Sequence, residues 1–190
     1  YADHFDESLQ KLDYEAPELI ASLLKRLNFD GAISSVLDLG CGTGIFGEKI
    51  QKFCQNIEGV DLSGLMIKEA RKKNIYKRLT HVDIIEHLAA AELDFDYFVA
   101  ADVFVYVGDL SRVFHLIKSR NKRRGKLIFS TEHSGGAKFD LQDTGRFSHS
   151  KKYIEGLCRE HDYHLSYFRE TSLRKDLGEV IKGAIYLLDF

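Results

Sequence analysis

The chain has 190 residues, of which 44% are hydrophobic, so it is long enough to bury a sizeable core as one domain. Its formal net charge of −2 is too close to neutral to suggest a polyanionic partner, and its local basic runs around residues 71–78 and 118–126 are expected to be solvated, with a nucleic-acid surface as the alternative. It has no long uncharged apolar stretch, signal peptide or repeat. We therefore expect neither nucleic acid nor a membrane among its partners.

The cysteines indicate the compartment. Cys41, Cys54 and Cys158 are odd in number and lack metal-ligand spacing, so we expect reduced thiols, no metal site and a cytoplasmic location. The chain begins at Tyr1 and not at a methionine. We therefore allow for a longer native chain.

Residues 1–30 form the first predicted unit, and residues 31–190 form the main domain. Apolar residues at helical spacing predict a helix packed on the core. They are Ala16, Leu19, Ile20, Leu23, Leu24 and Leu27. The preceding segment is rich in aromatic residues without a clear period and includes Tyr1 and Phe5. Two interpretations stay open for it, a lid over a bound ligand and simple packing on the domain.

The next feature is a strand pattern that leads into a glycine-rich loop. An apolar run containing Asp38 precedes Gly40, Gly42 and Gly44, and a helical pattern follows. Such a loop brings backbone N–H groups and a helix N-terminus to one point. Residues 42–47 also fit the dinucleotide pattern GxGxxG, so a dehydrogenase stays open here. Asp38 favours a cofactor with an ammonium group, because it would repel a pyrophosphate. A glycine turn without a ligand is the structural alternative.

The second and third predicted strands also end in acids. The second, Ile57–Leu62, ends near Asp61, which has the position to accept hydrogen bonds from ribose hydroxyls. Its alternative is a solvated acid at a strand end. Ser63 is predicted to cap the next helix, which carries Leu65 and Met66. The third strand, around Leu79–Val82, ends in Asp83.

The remaining pattern predicts the fold class. A fourth strand ends at Asp102, a fifth covers Lys126–Thr131, and the stretches His164–Leu173 and Gly183–Phe190 should pair as an antiparallel hairpin. We therefore predict an α/β three-layer sandwich. Its sheet is a mostly parallel, seven-stranded, Rossmann-like sheet whose last strand is antiparallel. Ligands bind such sheets at the carboxyl ends of the strands.

The acid and glycines at residues 38–44 resemble motif I of class I S-adenosylmethionine (SAM)-dependent methyltransferases. The antiparallel last strand is similar to their core, and no second domain remains for a dehydrogenase substrate. The segment Asp102–Tyr106 replaces the Pro-Pro loop of DNA amino-methyltransferases, which favours the small-molecule branch. Residues 1–27, 101–110 and 145–190 resemble predicted methyltransferases often fused to tetratricopeptide repeats.

This resemblance implies a SAM-dependent methyltransferase that acts on a small-molecule acceptor of unknown identity and releases S-adenosylhomocysteine (SAH). In the family, an acid like Asp83 accepts from the adenine amino group, and apolar neighbours like Ile84 cover the ring. The predicted cofactor-binding residues are Tyr1, Phe5, Asp38, Gly40, Cys41, Gly42, Thr43, Gly44, Asp61, Leu62, Met66, Asp83, Ile84, Ala101 and Asp102.

The acceptor side is predicted at Tyr106 and along a loop at residues 132–150. His133, His149 and Tyr106 are the candidates for a catalytic base, and each has a structural hydrogen bond as its alternative. Arg146 either binds an anionic acceptor group or pairs with a neighbouring acid. The alternative function is a non-catalytic SAM-binding subunit or assembly factor, although such a protein has no need of an intact glycine loop.

Overall fold

Helices and strands alternate through most of the chain. The computed structural model describes residues 15–29, 31–176 and 179–190. The described helices are α1 (Ala16–Leu27), α2 (Ile45–Ile50), α3 (Gly64–Lys72), α4 (Ile84–Ala90), α5 (Ser111–Arg120) and α6 (Lys151–His161), with a 3₁₀ turn at Phe104–Tyr106. The described strands are β1 (Ile33–Leu39), β2 (Cys54–Asp61), β3 (Arg78–His81), β4 (Tyr97–Ala100), β5 (Lys126–Ser134), β6 (Phe139–Leu141), β7 (Phe147–Ser150), β8 (His164–Asp176) and β9 (Glu179–Asp189).

Seven of these strands form the predicted sheet. The order β3-β2-β1-β4-β5 is parallel throughout. Strand β9 pairs with β5 in the antiparallel direction, and β8 pairs with β9. The predicted α/β fold, with a mostly parallel sheet and an antiparallel last strand, is confirmed. The carboxyl ends of β1 to β5 therefore meet at one edge of the sheet, which we call the open edge.

A short hairpin, β6–β7, extends the sheet at the open edge. Strand β5 runs beyond the last residue of β4, and Glu132 pairs with Ser148 of β7 on one side and Gly183 of β9 on the other. Strand β7 therefore lies beyond the end of β4. The prediction of a loop across residues 132–150 is wrong, because the overhanging backbone of β5 needs hydrogen-bond partners and β7 supplies them.

Two apolar cores cover the faces of the sheet. On the first face, strand residues such as Leu37 and Phe129 pack with α4, α5 and α6. On the second face, Val36 and Ile128 pack with α1 and α2. Two helical layers with the sheet between them give the three-layer sandwich.

Helix α1 buries most of the apolar stripe that the sequence shows. Ile20 and Leu24 are fully buried, whereas Leu27 at the end of the helix is exposed. The helix packs on the second face of the sheet, next to α2. Tyr1 and Phe5, and the predicted lid to which they belong, lie outside the described residues.

Within the described ranges, every helix is too short or too polar to cross a lipid bilayer.

Candidate functional site

The glycine-rich loop lies at the open edge, between β1 and α2. Gly40, Gly42 and Gly44 have φ angles of +67°, +53° and +89°, which residues with a side chain rarely adopt. The side chains of Cys41 and Thr43 are buried, so the loop presents backbone to its outer surface. A Cβ atom on Gly40 would lie 2.5 Å from Val103 Cγ2, so this glycine also allows the segment after β4 to pack on the loop.

Asp38 lies beneath this loop and not at its surface. It shares a strand face with Val36, and only 1% of its surface is exposed. The Tyr76 hydroxyl donates to Asp38 Oδ2 at 2.7 Å. Burial raises the pKa of Asp38 to about 7 against the opposing effect of that bond, and the nearby charge of Asp61 adds to the increase. This buried and bonded position does not favour direct contact with a ligand ammonium group, and that contact stays a prediction.

Tyr76 is a site residue that the sequence did not reveal. It precedes β3, yet its ring fills the space under the glycine loop. A Cβ atom on Gly47 would lie 2.6 Å from the Tyr76 hydroxyl oxygen, and one on Gly59 would lie 3.0 Å from its ring. The signal in the sequence is indirect, since Gly47 and Gly59 are glycines that the cofactor motif does not require for its turn.

Asp61 occupies the predicted place at the end of β2. Its Oδ2 accepts from the Gly42 N–H at 2.8 Å, and its Oδ1 accepts from the Ser63 N–H at 2.7 Å. A carboxylate has about four acceptor positions, so it can accept further bonds from a ligand. Ser63 caps α3 as predicted, with its hydroxyl accepting from the Met66 N–H.

Apolar residues follow Asp61 along the chain. Leu62 is 70% exposed and Leu65 is 64% exposed, whereas Met66 is half-buried. Apolar groups that stand in water beside a carboxylate suit a planar ligand with a polar sugar. Leu62 and Met66 stay predicted contacts of a ligand bound at Asp61.

Asp83 has a structural role in the ligand-free chain. Its Oδ1 caps α4 by accepting from the N–H groups of Ile85 and Glu86, at 2.8 and 3.3 Å. The second oxygen has no bond to a described residue. Ile84 is buried in the first core, and its role as the cover of a ring stays a prediction.

Asp102 follows Ala101 at the end of β4, with a left-handed backbone at φ +59°. Its N–H donates to the Ser130 hydroxyl at 2.8 Å. Arg174 Nη1 donates to both carboxylate oxygens of Asp102, each at 2.9 Å. Burial raises the pKa of Asp102, although the charge of Arg174 opposes this shift. Arg174 is the second site residue that the sequence did not reveal.

The acceptor side contains Tyr106 and Arg146. Tyr106 is 65% exposed, and the Arg146 guanidinium carbon lies 5.9 Å from the centre of its ring. Arg146 Nη1 also lies 3.8 Å from Glu132 Oε1. Both roles predicted for Arg146 therefore remain open to it, because a guanidinium has five donors.

The two histidines lie apart from this pair. His149 is fully buried, and its Nε2 donates to the carbonyl oxygens of Val107 and Gly108. Burial lowers the pKa of His149. This placement does not suit a base that must reach a substrate, and we correct the assignment: His149 fastens β7 to the segment after β4.

His133 is half-buried, and its Nε2 lies 3.6 Å from Glu170 Oε1. It follows Glu132 in β5 and therefore points to the opposite face of the sheet from that residue. His133 and Tyr106 accordingly do not form one cluster. In the part of the chain that the structure describes, no group of His, Cys, Asp or Glu is arranged to hold a metal ion.

Known proteins resemble this chain in both sequence and fold. A family model described as a methyltransferase domain matches residues 9–180. Ubiquinone biosynthesis O-methyltransferase of Xanthomonas euvesicatoria pv. vesicatoria is 29% identical over 147 residues, which cover 75% of this chain and 59% of that protein. Malonyl-[acyl-carrier protein] O-methyltransferase of Hamiltonella defensa is 31% identical over 128 residues, which cover 64% of this chain and 49% of that protein. The chain thus spans less than two thirds of either relative.

A solved structure supports the architecture. The crystal structure of a S-adenosylmethionine-dependent methyltransferase from Clostridium acetobutylicum superposes with a TM-score of 0.73 at 18% sequence identity. The match covers 99% of this chain and 98% of the other chain. The two proteins therefore share their fold.

Proposed function

The chain belongs to the methyltransferase domain family, and on that premise we propose that it is a SAM-dependent methyltransferase. It transfers a methyl group to a small-molecule acceptor and releases SAH. One observation carries the proposal: the Gly42 N–H donates to Asp61, so the glycine loop and the acid after β2 form one continuous surface. That surface pairs loop backbone for the methionine end with an acid for the ribose.

The charge at the open edge supports SAM over a dinucleotide. Asp38, Asp61 and Asp102 all lie close to the glycine loop, at the ends of three neighbouring strands. SAM carries a sulfonium and an ammonium group, which the Asp61 carboxylate attracts, whereas NAD carries a pyrophosphate, which it repels. Asp38 and Asp102 add less, because burial raises the pKa of Asp38 to about 7 and Arg174 pairs with Asp102. We propose that Leu62, Met66 and Asp83 contact the adenosine part and that Ala101 and Asp102 contact the methionine part.

The acceptor is proposed to be small, partly apolar and anionic. Tyr106 offers an exposed ring, and Arg146 beside it offers donors for a carboxylate or another anion. Both curated relatives are named O-methyltransferases, which supports oxygen as the acceptor atom. SAM is already an activated donor, so positioning supplies most of the rate, and His133 and Tyr106 remain the candidates for a base.

Residues 1–14 are proposed to cover the site. The Glu15 N–H bonds to the Leu173 carbonyl, beside Arg174, so the described chain starts at the open edge. The exposed side chains of Leu62, Leu65 and Tyr106 at that edge would gain from apolar cover. The proposal gives Tyr1 and Phe5 this role.

The wider setting is also a proposal. We propose a cytoplasmic protein without nucleic-acid or membrane partners, which the free thiols of Cys41, Cys54 and Cys158 support. The resemblance to methyltransferases fused to tetratricopeptide repeats supports a longer native chain.

Titration calorimetry with SAM, SAH and NAD tests the function. We expect SAM and SAH to bind and NAD not to bind. Asp61→Ala should weaken SAM binding by about 1.5–3 kcal/mol, because it removes charge-assisted bonds to the ribose. Glu92→Ala, an exposed acid paired with Lys122, is the matched control and should bind as the wild type does.

Three results would each contradict a part of the proposal. Binding of NAD without SAH would make the chain a dinucleotide protein. Unchanged SAM affinity in Asp61→Ala would remove the ribose assignment. Tight SAH binding without methyl transfer from labelled SAM to any of a panel of phenols and carboxylic acids would favour the non-catalytic subunit.

A further inference from the structure

Three charged side chains are buried together on the second face of the sheet. Arg174 is 3% exposed, and it bonds both oxygens of Asp102 through Nη1 and Glu132 Oε1 through Nη2. Burying charges is costly unless each one is paired and hydrogen-bonded. The removal of Arg174 would therefore leave two buried carboxylates facing each other.

A β-bulge in β8 delivers Arg174 to this position. The pairing register between β8 and β9 shifts between Ser172 and Arg174. Leu173 belongs to the second core, and Arg174 reaches Glu132 on that same face, so two consecutive residues point to one side. Gly183 makes room for the bulge, since a Cβ atom there would overlap Leu173 and lie 2.7 Å from the Thr131 carbonyl oxygen.

Asp102, which Arg174 bonds, directly precedes a residue that contacts the glycine-rich loop. Its left-handed backbone is unfavourable for a residue with a side chain and persists only where the surroundings fix it. Ser130 accepts from its N–H, and Arg174 holds its carboxylate. The next residue, Val103, packs on Gly40 of the glycine loop. A displacement of Asp102 therefore moves a side chain that supports the loop.

We propose that Arg174 is a positioning residue of the cofactor site, which fixes the segment Ala101–Val103 against the glycine loop through Asp102. Because Arg174 is 3% exposed, its role in this proposal is to act through Asp102. The proposal rests on the proposed function, because it assumes that this edge binds SAM. It also links the last hairpin of the chain to the site, since β8 carries Arg174.

The charges next to Arg174 predict a pH dependence that separates a positioning role from a merely structural one. Arg146 lies 3.8 Å from Glu132, and its charge also acts on Asp102. Without Arg174, two carboxylates would share one arginine at the rim. Protonation of Asp102 or Glu132 would relieve the repulsion between these two carboxylates. In a variant that lacks Arg174, the segment Ala101–Val103 should therefore return to its wild-type position as the pH falls.

The test compares Arg174→Met, Arg174→Lys and a matched control, Arg169→Met, which removes an exposed arginine of the same strand. SAH affinity is measured by calorimetry at a temperature where circular dichroism shows each variant folded. We expect Arg174→Met to weaken SAH binding about tenfold or more, Arg174→Lys to weaken it less, and Arg169→Met to leave it unchanged. The loss in Arg174→Met should shrink between pH 8 and pH 5.5.

Hydrogen exchange of the ligand-free protein provides a readout that does not depend on SAM. Exchange at residues 101–104 should accelerate in Arg174→Met, and the double variant Arg174→Met/Asp102→Asn should restore part of both the protection and the affinity. If folded Arg174→Met shows wild-type SAH affinity and wild-type exchange, the proposal is overturned. If the wild type itself does not bind SAH, the proposed function fails, and exchange alone then decides whether Arg174 holds this segment.

Discussion

At the residue scale, Asp38 has the clearest consequence for pH. Its pKa is raised from the usual 3.8 to about 7, mainly by burial, with Tyr76 opposing and Asp61 adding to the shift. Between those two values the folded chain binds a proton that the unfolded chain releases. The contribution of Asp38 to the free energy of unfolding is therefore largest below pH 3.8 and is lost as the pH rises toward 7.

We predict that Asp38→Asn removes this decrease in the free energy of unfolding between pH 4 and pH 7. The wild type should lose unfolding free energy between pH 4 and pH 7 relative to Asp38→Asn, by about 1.4 kcal/mol for each unit of pKa shift. Urea unfolding of both proteins at pH 4.5, 5.5, 7 and 8 measures the difference. Tyr76→Phe, which keeps the ring but removes the donor, should extend the fall to higher pH. Parallel curves for wild type and Asp38→Asn would contradict the prediction.

Single residues also show where sequence reasoning stops. Asp61 and Asp83 were found because an acid after an apolar run is a local pattern, and the strands place both at the open edge. Tyr76 and Arg174 were not found, because their burial depends on partners 38 and 72 residues away. The sequence predicts Asp38 as a site residue, but it does not show that the side chain lies under the loop. That position depends on packing with Tyr76.

At the scale of elements, one side chain serves two purposes at the start of α4. Asp83 caps the helix with Oδ1, and its other oxygen is directed to no described residue. We predict that Asp83→Asn keeps the apo melting temperature, because asparagine caps helices about as well as aspartate. It should weaken SAH binding, since the amide is a poorer acceptor for the adenine amino group.

Thermal unfolding without ligand and calorimetry with SAH separate these two roles. Asp83→Ala is the comparison, because it loses both the cap and the acceptor and should lower the apo stability by about 1 kcal/mol. If Asp83→Asn lowers the melting temperature as much as Asp83→Ala while SAH affinity holds, Asp83 is a cap alone.

The elements themselves divide by how local their signals are. Parallel strand β4 is a continuous apolar run, and β1 and β5 each contain a shorter apolar run, a pattern typical of strands buried on both faces, so all three were predicted. The hairpin β6–β7 was missed because its strands have only three and four residues, so the alternation at Phe139 and Leu141 is too short to predict a strand. The hairpin forms because β5 extends beyond the end of β4 and its last residues need pairing partners. No sequence pattern predicts how far one strand extends beyond the next.

At the scale of the whole molecule, ligand binding should stabilise the sheet as one unit. Strands β1, β2 and β4, which end at the proposed cofactor site, are paired neighbours in the sheet. We predict that SAH at about 100 times its dissociation constant raises the free energy of unfolding by about 2.7 kcal/mol. Urea unfolding followed by both circular dichroism and tyrosine fluorescence measures this gain.

Coincident transitions for the two probes are expected with and without SAH, since both described cores pack on the same sheet. A shift in one probe only would mean that the open edge unfolds separately. Absence of any shift would contradict binding of SAH to the folded chain.

The divided pairing of β5 has a consequence for how such a chain diversifies. Its first residues pair with β4, and only Glu132–Ser134 pair with β7. Insertions, deletions or a transplanted hairpin between residues 135 and 146 therefore leave the hydrogen bonds among strands β1 to β5 intact. The part of the molecule nearest the proposed acceptor is thus the part most open to evolutionary change, and directed evolution of acceptor preference should begin there.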